Sequence, residues 1–146
     1  VGADLSLRYS DQDSVTLGVE YFFNDAGYDD PAFYPWLFIQ GAYTPFYVGR
    51  HYASAVIVLM APGDWNDSSF VLSGLANLSD ETGVLRFDSR VRVLTQLQLN
   101  GFVMWHVGEQ GEFHQGVELP SLPELPDGIS VPAPHISLGV GMTLRY

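Results

Sequence analysis

Apolar and polar residues alternate with a period of two over most of this chain, the pattern of strands that turn one face to an apolar and the other to a polar medium. The last run is the longest. Ile136, Leu138, Val140, Met142, Leu144 and Tyr146 alternate with Ser137, Gly139, Gly141, Thr143 and Arg145. The same period predicts strands over Gly2–Tyr9, Ser14–Phe23, Ser69–Leu78, Val84–Val93 and Leu97–Val107. Tyr52–Ala61 is apolar on both faces, which suits a strand covered on both sides. Tight polar turns are expected at Ser10–Asp13, Pro62–Asp67, Ser79–Gly83 and Leu94–Gln96.

Two segments break the rhythm. Residues 24–50 hold Pro31, Pro35 and Pro45 among many aromatics, and Trp36–Tyr43 reads as either a further strand or a helical turn. Residues 108–134 hold four glutamates and five prolines, and the spacing of Pro120, Pro123 and Pro126 fits either a polyproline-II excursion or a plain extended loop. If the chain ends on the periplasmic side of a membrane, strand parity puts these two long segments outside and the turns at 10–13, 62–67 and 94–96 inside. Long outer loops over short inner turns are the habit of outer-membrane barrels, and the strand lengths suit the roughly 9–11 tilted residues that cross a bilayer.

The alternating terminal strand resembles that of bacterial outer-membrane β-barrel proteins, whose terminal aromatic is read by the barrel-assembly machinery. The resemblance places Gly141, Leu144 and Tyr146 at the glycine, hydrophobic and aromatic positions of that signal; Gly139 departs from it, standing where a polar residue is usual. Four short motifs extend the resemblance to the C-terminal half of poorly characterised proteobacterial outer-membrane proteins. They are Glu20-Tyr21-Phe22-Phe23-Asn24 with Gly27-Tyr28, Gly49-Arg50-His51-Tyr52, Asn77-Leu78-Ser79-Asp80 with Gly83, and Gly111-Glu112-Phe113. The resemblance implies a barrel in the outer membrane, with lipid and the assembly machinery as partners; it implies no substrate. The expected fold is all-β, an antiparallel up-and-down transmembrane barrel in a single domain, with about 7–8 strands in this chain. An odd count leaves two expectations: an eighth strand at Trp36–Tyr43, or a chain that is the C-terminal part of a larger barrel and meets another barrel segment. The opening Val1-Gly2-Ala3-Asp4, without a start methionine or signal pattern, favours the second.

Composition narrows the classes. Among 146 residues, 17 are acidic and 6 are arginine with no lysine, a net charge of −11 that argues against nucleic acid. The absence of cysteine removes disulfides and thiol chemistry. No stretch approaches the 18 apolar residues of a membrane helix, which leaves strands as the only means of crossing.

Candidate chemistry lies on the polar faces. Arg86, Asp88, Arg90 and Arg92 alternate along one strand. Arginine near the bilayer midplane costs roughly 2–4 kcal/mol on a lipid face, so in a barrel these residues point into the lumen. Arg8, Glu20, Asn100, His106 and Arg145 share that expected orientation. The ladder reads either as a pore lining that favours anions or as a structural network in which Arg86, Arg90 and Arg92 pair with Asp4, Glu20 and Asp88. His51, His106, His114 and His135 are too scattered in sequence for a metal motif. Asp25, Asp29 and Asp30 lack EF-hand spacing and read as a solvated loop. Ser69, Ser73 and His106 have no nucleophile motif around them, so no catalytic residue and no cofactor is expected. The leading function is a porin-like channel for passive passage of small solutes. The alternatives are a plugged barrel that holds an envelope protein through its outer loops, and a soluble barrel that binds an apolar ligand.

Overall fold

The computed structural model describes residues 1–10, 13–44, 47–109, 111–114, 116–119 and 129–144, with the backbone alone described at 117–119 and 129–131. Among the described residues the fold is all-β with one short α-helix. In chain order the elements are β1 (Gly2–Arg8), β2 (Ser14–Phe23), α1 (Tyr34–Ile39), β3 (His51–Met60), β4 (Ser68–Asn77), β5 (Thr82–Leu94), β6 (Leu97–Val107), β7 (Val117–Leu119), β8 (Ile129–Val131) and β9 (Ile136–Leu144). Seven strands form one antiparallel sheet in the order β1-β2-β3-β4-β5-β6-β9. Each strand pairs with its neighbour in sequence except where β9 follows β6. Between those two, β7 and β8 pair only with each other, in a ribbon inside a segment that the alternation left irregular. The sheet is not closed: no pairing joins β1 to β9.

The register runs unbroken across the sheet apart from one irregularity between Arg92 and Leu94. One row reads Leu5, Leu17, Ile57, Leu72, Phe87, Val103, Leu138, and the row beside it reads Ser6, Thr16, Val58, Val71, Asp88, Phe102, Gly139. Because side chains alternate between faces, these pairings sort every strand residue to one of two sides. The first face is apolar from edge to edge. Its polar side chains are His51 at one end, Ser68 at the other and Ser89 between, and no Asp, Glu or Arg stands on it. The Ser89 hydroxyl donates to the Gly101 carbonyl at 3.4 Å. The second face carries Asp4, Arg8, Glu20, Arg86, Asp88, Arg90, Arg92, Asn100 and His106.

Among the described residues no layer covers the apolar face, and β3, expected to be covered on both sides, lies open on this one. Leu5, Val19, Ile57, Leu85, Leu99 and Ile136 are exposed, and toward the β9 edge Leu138 reaches 74% and Val140 87%. Apart from Asp13 and Ser68 near the short turns, the buried side chains gather instead where the long loops meet the upper end of the second face: Tyr34, Val48, Tyr52, Asn77, Thr82 and His114. The ends of β2 and β3, of β4 and β5, and of β6 and β9 that the longer connections join all lie at this end, and the ends joined by the short turns lie opposite.

Trp36–Tyr43 is not the eighth strand. Residues 31–33 form a 3-10 turn that runs into α1. Asp30 caps the turn, its carboxylate accepting from the Ala32 N–H at 2.9 Å, and Pro31 and Pro35 occupy first-turn positions where a missing N–H costs nothing. Two prolines before a four-residue apolar run thus select helix over strand. The segment containing Pro120, Pro123 and Pro126, expected as polyproline-II or extended loop, lies outside the described residues.

Candidate functional site

The lower half of the polar face holds the charged side chains that alternation had grouped. Arg86 and Asp88 stand two residues apart on β5 and therefore share a face. Arg86 Nε and one terminal nitrogen both donate to the Asp88 carboxylate at 2.7 Å, a forked pair with planar complementarity. The guanidinium also lies over the Phe102 ring, 4.3 Å from its centre, so β6 holds the cation from a second side. Phe102 in turn explains Gly139. A Cβ on Gly139 would collide with the Phe102 ring, and only glycine on β9 leaves room for it.

Arg92 reaches the turn residue Asp67 at 3.4 Å, an exposed pair. Arg90 sits between Ser69 on β4 and Asn100 on β6 in one row of the register. Among the described residues it has neither an ion pair nor a hydrogen bond. The expected pairing of the ladder with Asp4 and Glu20 does not form. Those residues lie on β1 and β2, three or more strands from β5, and within the described residues neither has an ion pair. Asn100 is held along the face, its Oδ1 accepting from Gln98 at 2.7 Å and its Nδ2 donating to Thr143 at 3.3 Å. Arg86, Asp88, Arg90, Asn100 and Gly141 line a recess of about 440 Å3 together with Met60, Ser69, Val71 and Phe102. Arg8 lies in the same row as Arg90, at the β1 edge and outside the recess.

Glu20 lies higher, in a second recess of about 240 Å3 with Phe22, Tyr47, Tyr52, Ser54 and Leu75. His106 stands in the same row of the register as Glu20, four strands away on β6. Its Nδ1–H donates to the Phe113 carbonyl at 2.8 Å, and its ring stacks on His114, whose Nδ1–H donates to the Gly108 carbonyl at 2.7 Å. His135 stands 4.7 Å from His114, ring centre to ring centre. Three of the four histidines, scattered in sequence, are therefore brought together, yet among the described residues no group of side chains is arranged to hold a metal ion. His51 lies on the apolar face at its loop end, with Tyr21 and Phe23 around its ring and a 2.6 Å hydrogen bond to the Tyr21 hydroxyl. Of the proposed assembly signal, Gly141 lies on the polar face and Leu144, exposed, on the apolar face; Arg145 and Tyr146 lie outside the described residues.

Above the charged row the loops are pinned by a polar network that no single stretch of sequence announced. Asn77, fully buried, directs its Nδ2 toward the Tyr34 hydroxyl, Asp80 Oδ2 and Glu112 Oε2 at 3.0–3.1 Å. The Tyr52 hydroxyl donates to Glu112 at 2.6 Å and accepts from the Gly49 N–H at 2.7 Å. Asp80 accepts from the Glu112 and Thr82 N–H groups and from the Thr82 hydroxyl. Ser79 accepts from the N–H groups of Arg50 and His51. Burial, helped by the nearby Asp80 carboxylate, pushes the Tyr34 hydroxyl well above the ordinary tyrosine range, and burial with the Glu112 charge lifts Tyr43 to about 12. The available signal was the set of short motifs at 49–52, 77–83 and 111–113, which meet here, with the fourth, at 20–28, bonded to the backbone at 47–50 beside them.

Comparison with protein-family models, with curated proteins and with solved structures returns no match for this chain.

Proposed function

We propose that this chain is the wall of an outer-membrane β-barrel, complete only with further strand pairing, and that it forms a porin-like channel for passive passage of small solutes. The observation that carries the reading is the apolar face. Seven strands in continuous register present no Asp, Glu or Arg on one side, and its large apolar side chains lie open. Soluble proteins rarely expose contiguous apolar patches beyond a few hundred Å2, whereas a lipid-facing wall requires one. Supporting features are the strand lengths, the Tyr21, Phe23 and Trp105 rings toward the loop end, and charge confined to the opposite face. With acyl chains on the apolar side, the arginine ladder faces water, as its charge demands.

The test is single-channel recording in planar bilayers with heat-modifiable, folded protein. Stepwise conductance is the expected result; an electrically silent folded barrel would defeat the channel. Labelling from lipid-soluble probes is expected at Leu138 and not at Ser137, and the opposite result would defeat the membrane reading itself.

A second reading has its own support. α1 turns Trp36, Phe38 and Ile39 outward, Trp36 at 64% exposure, while Tyr34 anchors the helix beneath. An apolar surface held rigidly at the loop end suits a barrel that captures an envelope protein. Deleting residues 31–43 would then abolish capture and leave insertion intact.

A further inference from the structure

We infer that the 440 Å3 recess on the polar face binds small monocarboxylates with an apolar body, the carboxylate on Arg90, Asn100 and Ser69 and the body on Phe102, Met60 and Val71. As a statement about cargo this rests on the channel reading; as a statement about binding it stands alone.

The charges specify a single negative charge. Arg86 is forked onto Asp88, and Arg92 reaches out to Asp67 and takes no part in lining the recess. Arg90 is the cation in the recess with no anion of its own among the described residues. It shares a row with Ser69 and Asn100, so one guanidinium, one hydroxyl and the second N–H of the Asn100 amide can meet one carboxylate. Asp88 stands two residues along the same face, where a second negative charge on the ligand would be repelled. This disfavours sulfate and dianionic phosphate.

The apolar body follows from the other walls. The Phe102 ring lines the recess beside Arg86, whose guanidinium carbon is 4.3 Å from the ring centre, and Met60 and Val71 line it from β3 and β4. On β9 the recess is open because Gly141 carries no side chain, and a Cβ placed there would meet nothing within 4 Å. A ring or short alkyl chain fits this space, and an ion without a body leaves it unfilled.

Equilibrium dialysis of labelled benzoate against the folded protein in detergent micelles tests the site without requiring conductance. Saturable binding is expected, weakened about tenfold or more in Arg90→Gln, the worth of one charge-assisted hydrogen bond. Gly141→Val, which fills the recess without touching a charge, is expected to weaken it as well and serves if Arg90→Gln does not fold. Arg92→Gln is expected to bind as wild type, and acetate and sulfate to compete poorly. Absence of saturable benzoate binding, equal binding by wild type and both recess variants, or sulfate competing as well as benzoate would each overturn the inference. In bilayers, benzoate is expected to reduce current through wild type more than through Arg90→Gln. A conducting barrel indifferent to benzoate would sink the cargo class and spare the channel, whereas a silent barrel that binds benzoate would sink the channel and the cargo with it and spare the binding site.

Discussion

Gly139 and Gly141 differ by one strand period and have opposite reasons to be glycine. Gly139 is held small by the Phe102 ring, and Gly141 borders open space. Gly139→Val is therefore expected to destabilise the fold by about 1–3 kcal/mol through overpacking, and Gly141→Val by much less, measured by denaturant unfolding in the same detergent. The faces give a second contrast. Leu72→Arg, in the middle of the apolar face, is expected to cost roughly 2–4 kcal/mol in lipid vesicles, while Thr16→Arg on the polar face costs little. Equal costs for the two would contradict the proposed orientation of the wall. At Asn77, removal of one buried amide leaves Asp80, Glu112 and Tyr34 each short of a donor. Asn77→Ala is expected to lose about 1–3 kcal/mol and to admit protease into residues 24–50 before the strands open.

Among the elements, the loops are held to one another at one place and for a polar reason. Residues 49–52, 77–82 and 111–113 come from three separate connections and bond to one another through Asn77, Asp80 and Glu112. The cap also holds α1, through Tyr34. Because burial raises the Tyr34 and Tyr43 hydroxyls above their ordinary value of 10.0, the neutral form is the one the fold favours. Their contribution is whole below pH 10 and is lost as pH rises through the raised values, near 12 for Tyr43. Absorbance titration at alkaline pH is expected to show tyrosines ionising late. Tyr34→Phe should remove one of them and loosen the loops, and a titration unchanged by that substitution would mean that Tyr34 is not buried in the cap. The strands themselves need no such device, since each is fixed by a ladder to its neighbour.

For the whole molecule, strict up-and-down order makes β1 and β9 run in the same direction. Direct closure would put one parallel seam in an antiparallel wall, and an antiparallel seam needs an odd number of further strands. Among the described residues neither edge is paired, and an edge facing lipid is costly because its N–H and C=O groups have no water to meet. A folded, membrane-inserted form is accordingly expected to be closed and to show the heat-dependent mobility of barrels in electrophoresis.

Alternation determined six of the seven strands of the sheet, their two faces and the face on which the arginine ladder stands, because a period of two is a local property legible in seven or more consecutive residues; β3, apolar on both faces, and the three-residue β7 and β8 carry no such signal. It also grouped Arg86, Asp88 and Arg90, two residues apart on one strand. Helix against strand at Trp36–Tyr43 was left open by period and was decided by the caps Asp30, Pro31 and Pro35 together with burial of Tyr34. What only the tertiary structure decided is everything that depends on neighbours distant in the chain. Arg86 chose Asp88 and Phe102 over Asp4 and Glu20, three scattered histidines met, and three short motifs proved to be one buried network. Pairing register carries a residue on β1 no nearer to β5 than three strands allow, and no reading along the chain contains that distance.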